Sequence, residues 1–157
     1  MFEDIQNIAT SVTIHIFETM FFTFLEPQRK EPGQDQSVLR NPLSFLKGGI
    51  SFEGKYSGRL KFYLPLKLAK TMTSNFMGLE EEDASDSQAI DMVNELCNMV
   101  CGNLFAQLDK KTVWNLGIPQ TYLISNEEMV KETQAPGIKI DFDTEGCPIK
   151  LNIQINS

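Results

Sequence analysis

The chain has 157 residues, of which 41% are hydrophobic and 22% are charged, values that exclude a disordered or collagen-like protein and favour one domain over residues 1–157. Asp and Glu number 21 against 14 Lys and Arg, so the formal net charge is −7. Because nucleic-acid backbones and anionic lipid headgroups both attract clustered cations, this balance argues against nucleic-acid and membrane partners.

The cysteines and the N-terminal residues bear on the cellular compartment. Cys97, Cys101 and Cys147 form no Cys-x-x-Cys pair, and an odd number in this arrangement argues against a disulfide framework. The N-terminal residues lack the basic segment of a secretory signal, and the apolar run from Met20 to Leu25 is too short to span a bilayer. These features predict a cytoplasmic protein.

The first segment, from Phe2 to Leu25, is predicted to be a long helix because apolar residues recur there at steps of three and four. Four further apolar residues lie outside this stripe: Ile14, Phe17, Phe21 and Phe22. They indicate a second covered face, which either the fold itself or a second subunit provides. Pro27 is expected to end the helix, and the polar stretch from Gln28 to Pro42 is expected to be a loop or irregular excursion.

Two strands follow, joined by a tight turn at Glu53-Gly54. The first strand, from Ser44 to Phe52, contains Gly48-Gly49, which indicates a bulge or the close approach of another backbone. The second strand alternates apolar and more polar residues from Arg59 to Leu64, a pattern typical of a half-buried strand.

Two more helices are predicted in the centre of the chain. A short helix begins at Pro65, whose missing N–H suits a first helical position, and closes at Gly78. Ser85 and Gln88 have the spacing of a capping box. That box starts a second long helix, which is predicted from about Asp86 to Lys111.

The rest of the chain is predicted to form strands. One short run includes Thr121 and Leu123, and alternation from Ile138 to Phe142 and from Ile149 to Ile155 predicts an antiparallel hairpin. The element order predicts an α+β fold, a largely antiparallel sheet with the two long helices packed on one face.

The second long helix carries a polar line beside its apolar face. Asp91, Glu95, Asn98 and Gly102 fall on this line at i, i+4, i+7 and i+11, so Glu95 and Asn98 are neighbours at about 5–6 Å between Cβ atoms. Gly costs a helix interior about 0.8–1.0 kcal/mol against Ala, and at position 102 it lets another molecule's backbone come close. On spacing alone, an ordinary solvated helix face explains this line at least as well as a functional site.

The pattern Asp91-x3-Glu95-x2-Asn98, followed by Pro119, resembles the Asp/Ser-x3-Glu-x2-Asn…Pro signature of the CheC/CheX/FliY group of chemotaxis phosphatases. The resemblance covers most of the chain. It extends to the long first helix, to the strand pair with Gly54 and Gly58, and to the short helix before the signature. The first helix has no second Glu-x-x-Asn copy, so the chain resembles the single-site CheX branch more than the two-site CheC branch.

The resemblance implies a phosphatase that acts on an Asp-phosphorylated response regulator of the CheY type. It implies that Asn98 orients the attacking water, that Glu95 docks on a Lys of the regulator, and that Asp91 and Gly102 flank them as docking residues. Mg²⁺ is expected on the regulator, so no cofactor or metal of the chain's own is expected. The resemblance also implies a homodimer. The alternative is a non-catalytic module of the same fold that binds a regulator or a flagellar-switch component.

No other residue set predicts a second kind of chemistry. His15 is the only histidine and has no evident Ser or Cys partner, which argues against a hydrolase triad or a His-based zinc site. Cys97 and Cys101 share one helical face, but they lie in its apolar arc and are interpreted as small core residues rather than metal ligands.

Overall fold

The computed structural model describes residues 2–27, 44–80 and 84–156, so the predicted excursion over 28–42 lies outside the described residues. Four helices are present in these ranges: α1 (Phe2–Phe21), α2 (Leu66–Met77), α3 (Asp86–Leu108) and α4 (Asn126–Glu132). None of the helices in the described ranges combines the length and the apolar character needed to cross a membrane.

Seven strands in the described ranges form one sheet in which every pairing is antiparallel. They are β1 (Glu26–Pro27), β2 (Ser44–Glu53), β3 (Ser57–Pro65), β4 (Asn115–Leu116), β5 (Gln120–Ser125), β6 (Ile138–Thr144) and β7 (Cys147–Asn156). The order is β1-β6-β7-β3-β2-β4, and β5 also pairs with β2. Both β4 and β5 therefore lie along the same edge of β2.

The two faces of the sheet carry different core clusters, because successive side chains of a strand point to opposite faces. Leu60, Phe62 and Leu64 of β3 belong to the main core cluster, which also contains the inner faces of α1 and α3. Tyr63 points to the opposite face, where it joins Phe45, Ile124 and Met129 in a second cluster beneath α4. The α+β prediction, with both long helices on one face of an antiparallel sheet, is confirmed.

The first helix ends four residues earlier than predicted. Phe22 adopts a left-handed conformation with φ +52°, and the Thr23 N–H donates to the Phe17 carbonyl at 2.9 Å. The carbonyl of Phe21 accepts from Asn75 Nδ2 of α2 at 3.3 Å. The helix thus stops through contacts with α2, and Pro27 lies beyond it in β1.

The phenylalanines around the end of α1 divide into a buried pair and an exposed pair. Phe17 and Phe21 are fully buried, so the fold itself covers a second face of the helix. Phe22 and Phe24, by contrast, are 67% and 69% exposed just after the helix ends.

Helix α3 begins as the sequence predicts and ends earlier. Gln88 N donates to Ser85 Oγ at 3.1 Å, and Ser85 N donates to Gln88 Oε1 at 2.9 Å, which confirms the capping box. At the other end, the Asp109 carboxylate accepts from Lys111 N and from the Thr112 hydroxyl. Because this side chain closes a turn of its own, the helix ends at Leu108 rather than at Lys111.

Candidate functional site

The polar line on α3 faces outward because the rest of the helix is packed into the core. The buried residues of the helix are Ala89, Met92, Val93, Leu96, Cys97, Val100, Cys101, Leu104 and Phe105. Burial of this broad face fixes the rotation of the helix. Asp91 and Glu95 are consequently exposed, and Asn98 and Gly102 are half-buried at its margin.

The middle of α3 lies directly on β2 because Gly48 has no side chain. A Cβ atom at Gly48 would lie 2.6 Å from Val93 Cγ1 and 2.9 Å from Cys97 Sγ. The expected close approach is therefore found at Gly48, but side chains of α3 rather than another backbone make it, and the regular pairing of β2 with β3 shows no bulge there. This contact packs the turn of α3 that carries Glu95 and Asn98 directly against the sheet, so the sheet fixes the position of these two residues.

Asn98 differs from the two other asparagines of the same helix. Asn103 Nδ2 donates to the Met99 carbonyl at 2.7 Å, and Asn94 Oδ1 accepts from the Thr121 hydroxyl at 2.6 Å. Within the described residues, Asn98 and Glu95 make no hydrogen bond or ion pair. A carboxamide and a carboxylate, both strong hydrogen-bonding groups, are thus left available side by side for another molecule.

One side of the polar line is bounded by residues 116–121. The Asn94–Thr121 hydrogen bond ties this segment to α3 one turn before Asn98. One turn after Asn98, a Cβ atom at Gly102 would lie 3.8 Å from Leu116 Cδ1. Because the segment meets the helix on both sides of Asn98, it passes alongside that residue. No local sequence pattern pairs Asn94 with Thr121, so this boundary could not be predicted from the sequence.

Residues 47–143 match the family described as "Chemotaxis phosphatase CheX". The chain belongs to the CheX family. All four residues of the polar line, together with Pro119, lie within the matched range. No curated protein sequence matches the chain significantly.

Solved CheX structures share the fold over nearly the whole chain. CheX from Vibrio vulnificus is 19% identical with a TM-score of 0.70, over 96% of this chain and 95% of that chain. CheX from Desulfovibrio desulfuricans is 17% identical with a TM-score of 0.71, over 97% and 99%. A chain of the CheX–CheY–BeF3–Mg²⁺ complex from Borrelia burgdorferi is 20% identical with a TM-score of 0.64, over 99% and 97%. At these identities the likeness is one of fold.

Gly102 borders a shallow groove in this CheX-family chain. The groove, of about 510 Å³, runs past the C-terminal turns of α3, with Leu116 and Trp114 on its other side. Phe105 also lines the groove, and its ring packs between those of Phe52 and Trp114, with centroid distances of 4.2 and 4.5 Å. Among the described residues, a Cβ atom at position 102 would meet only Leu116, at ordinary contact distance, so the packing of these residues does not require Gly102.

The two thiols on α3 are core groups, as the sequence predicts. Cys97 and Cys101 are fully buried, and burial raises the pKa of each thiol to about 12. Both thiols are therefore protonated at neutral pH, a form that binds metal ions poorly. Over the described ranges, no three His, Cys, Asp or Glu side chains converge as a metal site.

Proposed function

We propose that this CheX-family chain dephosphorylates an Asp-phosphorylated response regulator of the CheY type. The observation that carries the proposal is the pair of unpartnered side chains, Glu95 and Asn98, on the solvent-facing line of α3. Membership of a family described as chemotaxis phosphatases supports it, as does the CheX–CheY complex formed by a structural relative.

The chemistry requires a water molecule in line with the leaving oxygen of the aspartyl phosphate. The water attacks phosphorus, the bond between phosphorus and the Asp oxygen breaks, and inorganic phosphate and the free carboxylate result. Such a reaction demands positioning more than covalent chemistry by the enzyme. The Asn98 carboxamide can accept a hydrogen bond from the water through Oδ1 and donate one to a phosphoryl oxygen through Nδ2.

Glu95 has a docking role in this proposal. Its exposed carboxylate, one helical turn before Asn98, accepts a charge-assisted hydrogen bond from a Lys of the regulator. Asp91 adds a second negative charge one turn further along the same line. Mg²⁺ belongs to the regulator, where it neutralises the phosphoryl oxygens, and the chain contributes no ligand to it.

Glu95→Ala is expected to weaken association with the regulator by about 10- to 100-fold, since one charge-assisted hydrogen bond is worth about 1.5–3 kcal/mol. Calorimetric titration against the regulator loaded with beryllofluoride, a phosphoryl mimic, measures the change. Glu127→Ala is the matched control, because Glu127 is an exposed carboxylate on α4, across the sheet. Equal affinities for wild type and Glu95→Ala would remove Glu95 from the docking surface.

We also propose that the chain forms a homodimer. Phe22 and Phe24 are largely exposed just after α1, and Phe76 of α2, whose ring centroid lies 5.6 Å from that of Phe21, is 48% exposed. Exposed apolar side chains of this kind are typical of a contact surface. Light scattering is expected to give twice the monomer mass for the wild type. Phe22→Ser together with Phe24→Ser is expected to lower the dimer fraction, and a monomeric wild type would contradict the proposal.

A further inference from the structure

The connection between β4 and β5 forms a bulge at the edge of the sheet. Leu116 pairs with Phe52 and Gln120 pairs with Gly49, both on β2. Residues 117–119, three in number, therefore face residues 50 and 51, two in number. An extra residue of this kind bends an edge strand and turns a side chain away from the sheet, and bulges are frequent next to active sites.

The bulge is held in place at its base. Gly117 N donates to the Ser51 carbonyl at 2.9 Å, and a Cβ atom at Gly117 would lie 2.2 Å from Ser51 Oγ. The far end is tied to α3 through the Thr121–Asn94 hydrogen bond of 2.6 Å. These two anchors restrict the backbone between Gly117 and Thr121.

Ile118 is the side chain that the bulge presents to solvent. It is 88% exposed, more than any other large apolar side chain in the described ranges. A single exposed isoleucine is ordinary on a protein surface, but this one lies on the segment that meets α3 one turn before and one turn after Asn98. A protein that covers the polar line around Asn98 therefore also comes close to the segment that carries Ile118.

We infer that Ile118 is an apolar docking contact for the phosphorylated regulator, and this inference rests on the proposed function. Glu95 and Asn98 offer only polar contacts, which remove little apolar surface from water when the regulator binds. An exposed isoleucine that is covered by an apolar part of the regulator's surface adds affinity and excludes water from the rim of the site. Ile118 therefore contributes to binding and selection of the regulator, whereas Asn98 acts on the reacting atoms.

Ile118→Ser is expected to raise the regulator concentration for half-maximal dephosphorylation by about 10-fold, with the rate at saturation changed less than about 2-fold. Ile118→Val keeps a branched apolar side chain and is expected to behave like the wild type. Val113→Ser is the matched control. Val113 is 80% exposed, but it precedes Trp114, which packs on Phe105 near the C-terminal end of α3, away from Asn98.

Two outcomes would overturn the inference. One is that Ile118→Ser reaches half-maximal dephosphorylation at the same regulator concentration as the wild type. The other is that Val113→Ser raises this concentration as much as Ile118→Ser does. Thermal unfolding of each variant shows whether the fold is kept. Calorimetric binding of the beryllofluoride-loaded regulator separates this inference from the proposed function. If the wild type binds without accelerating hydrolysis, the phosphatase proposal fails, while a 10-fold weaker Kd for Ile118→Ser still supports the docking contact.

Discussion

Asn98→Ala is expected to lower the dephosphorylation rate of the regulator by about 100-fold or more, to near its intrinsic decay. The alanine methyl group can neither accept from the water nor donate to the phosphoryl group, and loss of one such positioned group typically costs 10²–10³-fold in rate. Binding of the beryllofluoride-loaded regulator is expected to stay nearly unchanged, because Glu95 and the apolar contacts remain. Measurement of both quantities on the same variant separates a catalytic role from a docking role.

The control for this experiment lies on the same helix. Asn103→Ala makes an identical chemical change at an exposed position whose carboxamide bonds its own helix at Met99. It is expected to dephosphorylate the regulator at the wild-type rate. A wild-type rate for Asn98→Ala would remove Asn98 from the mechanism. A parallel loss of rate and binding in Asn98→Ala would favour a module that docks without catalysing hydrolysis.

Gly58→Ala is expected to destabilise the fold by about 3 kcal/mol, the upper end of the range for overpacking a core. A Cβ atom at Gly58 would lie 1.9 Å from the Gln154 carbonyl oxygen of β7 and 2.9 Å from Phe52 Cζ. Since the first of these atoms belongs to the backbone of a paired central strand, the strands must separate to admit it. Thermal unfolding is expected to show a midpoint lower by roughly 10 °C.

Gly102→Ala is the opposite case and serves as the matched variant. Its Cβ atom has room, and replacement of Gly by Ala within a helix stabilises by about 0.8–1.0 kcal/mol. The same variant is expected to bind the regulator more weakly, because the added methyl group lies on the polar line of α3, where the regulator is proposed to dock. A stabilised variant with unchanged affinity would exclude Gly102 from the docking surface, and a destabilised one would contradict the packing described above.

The long periodic elements could be predicted from the sequence because their patterns are local. The apolar stripes of α1 and α3, the alternation in β3 and the capping box of Ser85 and Gln88 each lie within one segment. The two-residue strands β1 and β4 have no such pattern, since they exist only through pairing with β6 and β2. Helix α4 was missed, although its cap, Ser125 accepting from Glu128 N, is a local signal that can be recognised.

The candidate site shows the same division. Helical spacing alone places Glu95 and Asn98 on one line, and the structure confirms that both reach solvent. The bulge that carries Ile118 depends on how β4 and β5 register against β2, and no sequence pattern near residue 118 encodes that register. Likewise, the sequence does not show which asparagines of α3 bond within the chain. In the structure Asn94 and Asn103 do so, whereas Asn98 has no hydrogen bond within the described residues.

The decay of the Asp-phosphorylated regulator in the presence of the wild-type chain shows whether the chain is a phosphatase. The regulator is phosphorylated with radiolabelled phosphate, and a tenfold lower concentration of the chain is added, so that each molecule must act repeatedly. If the chain is a phosphatase, we expect accelerated loss of label from the regulator, full recovery of the label as inorganic phosphate, and no label on the chain. Decay at the intrinsic rate, at concentrations where calorimetry shows the two proteins bound, would contradict it.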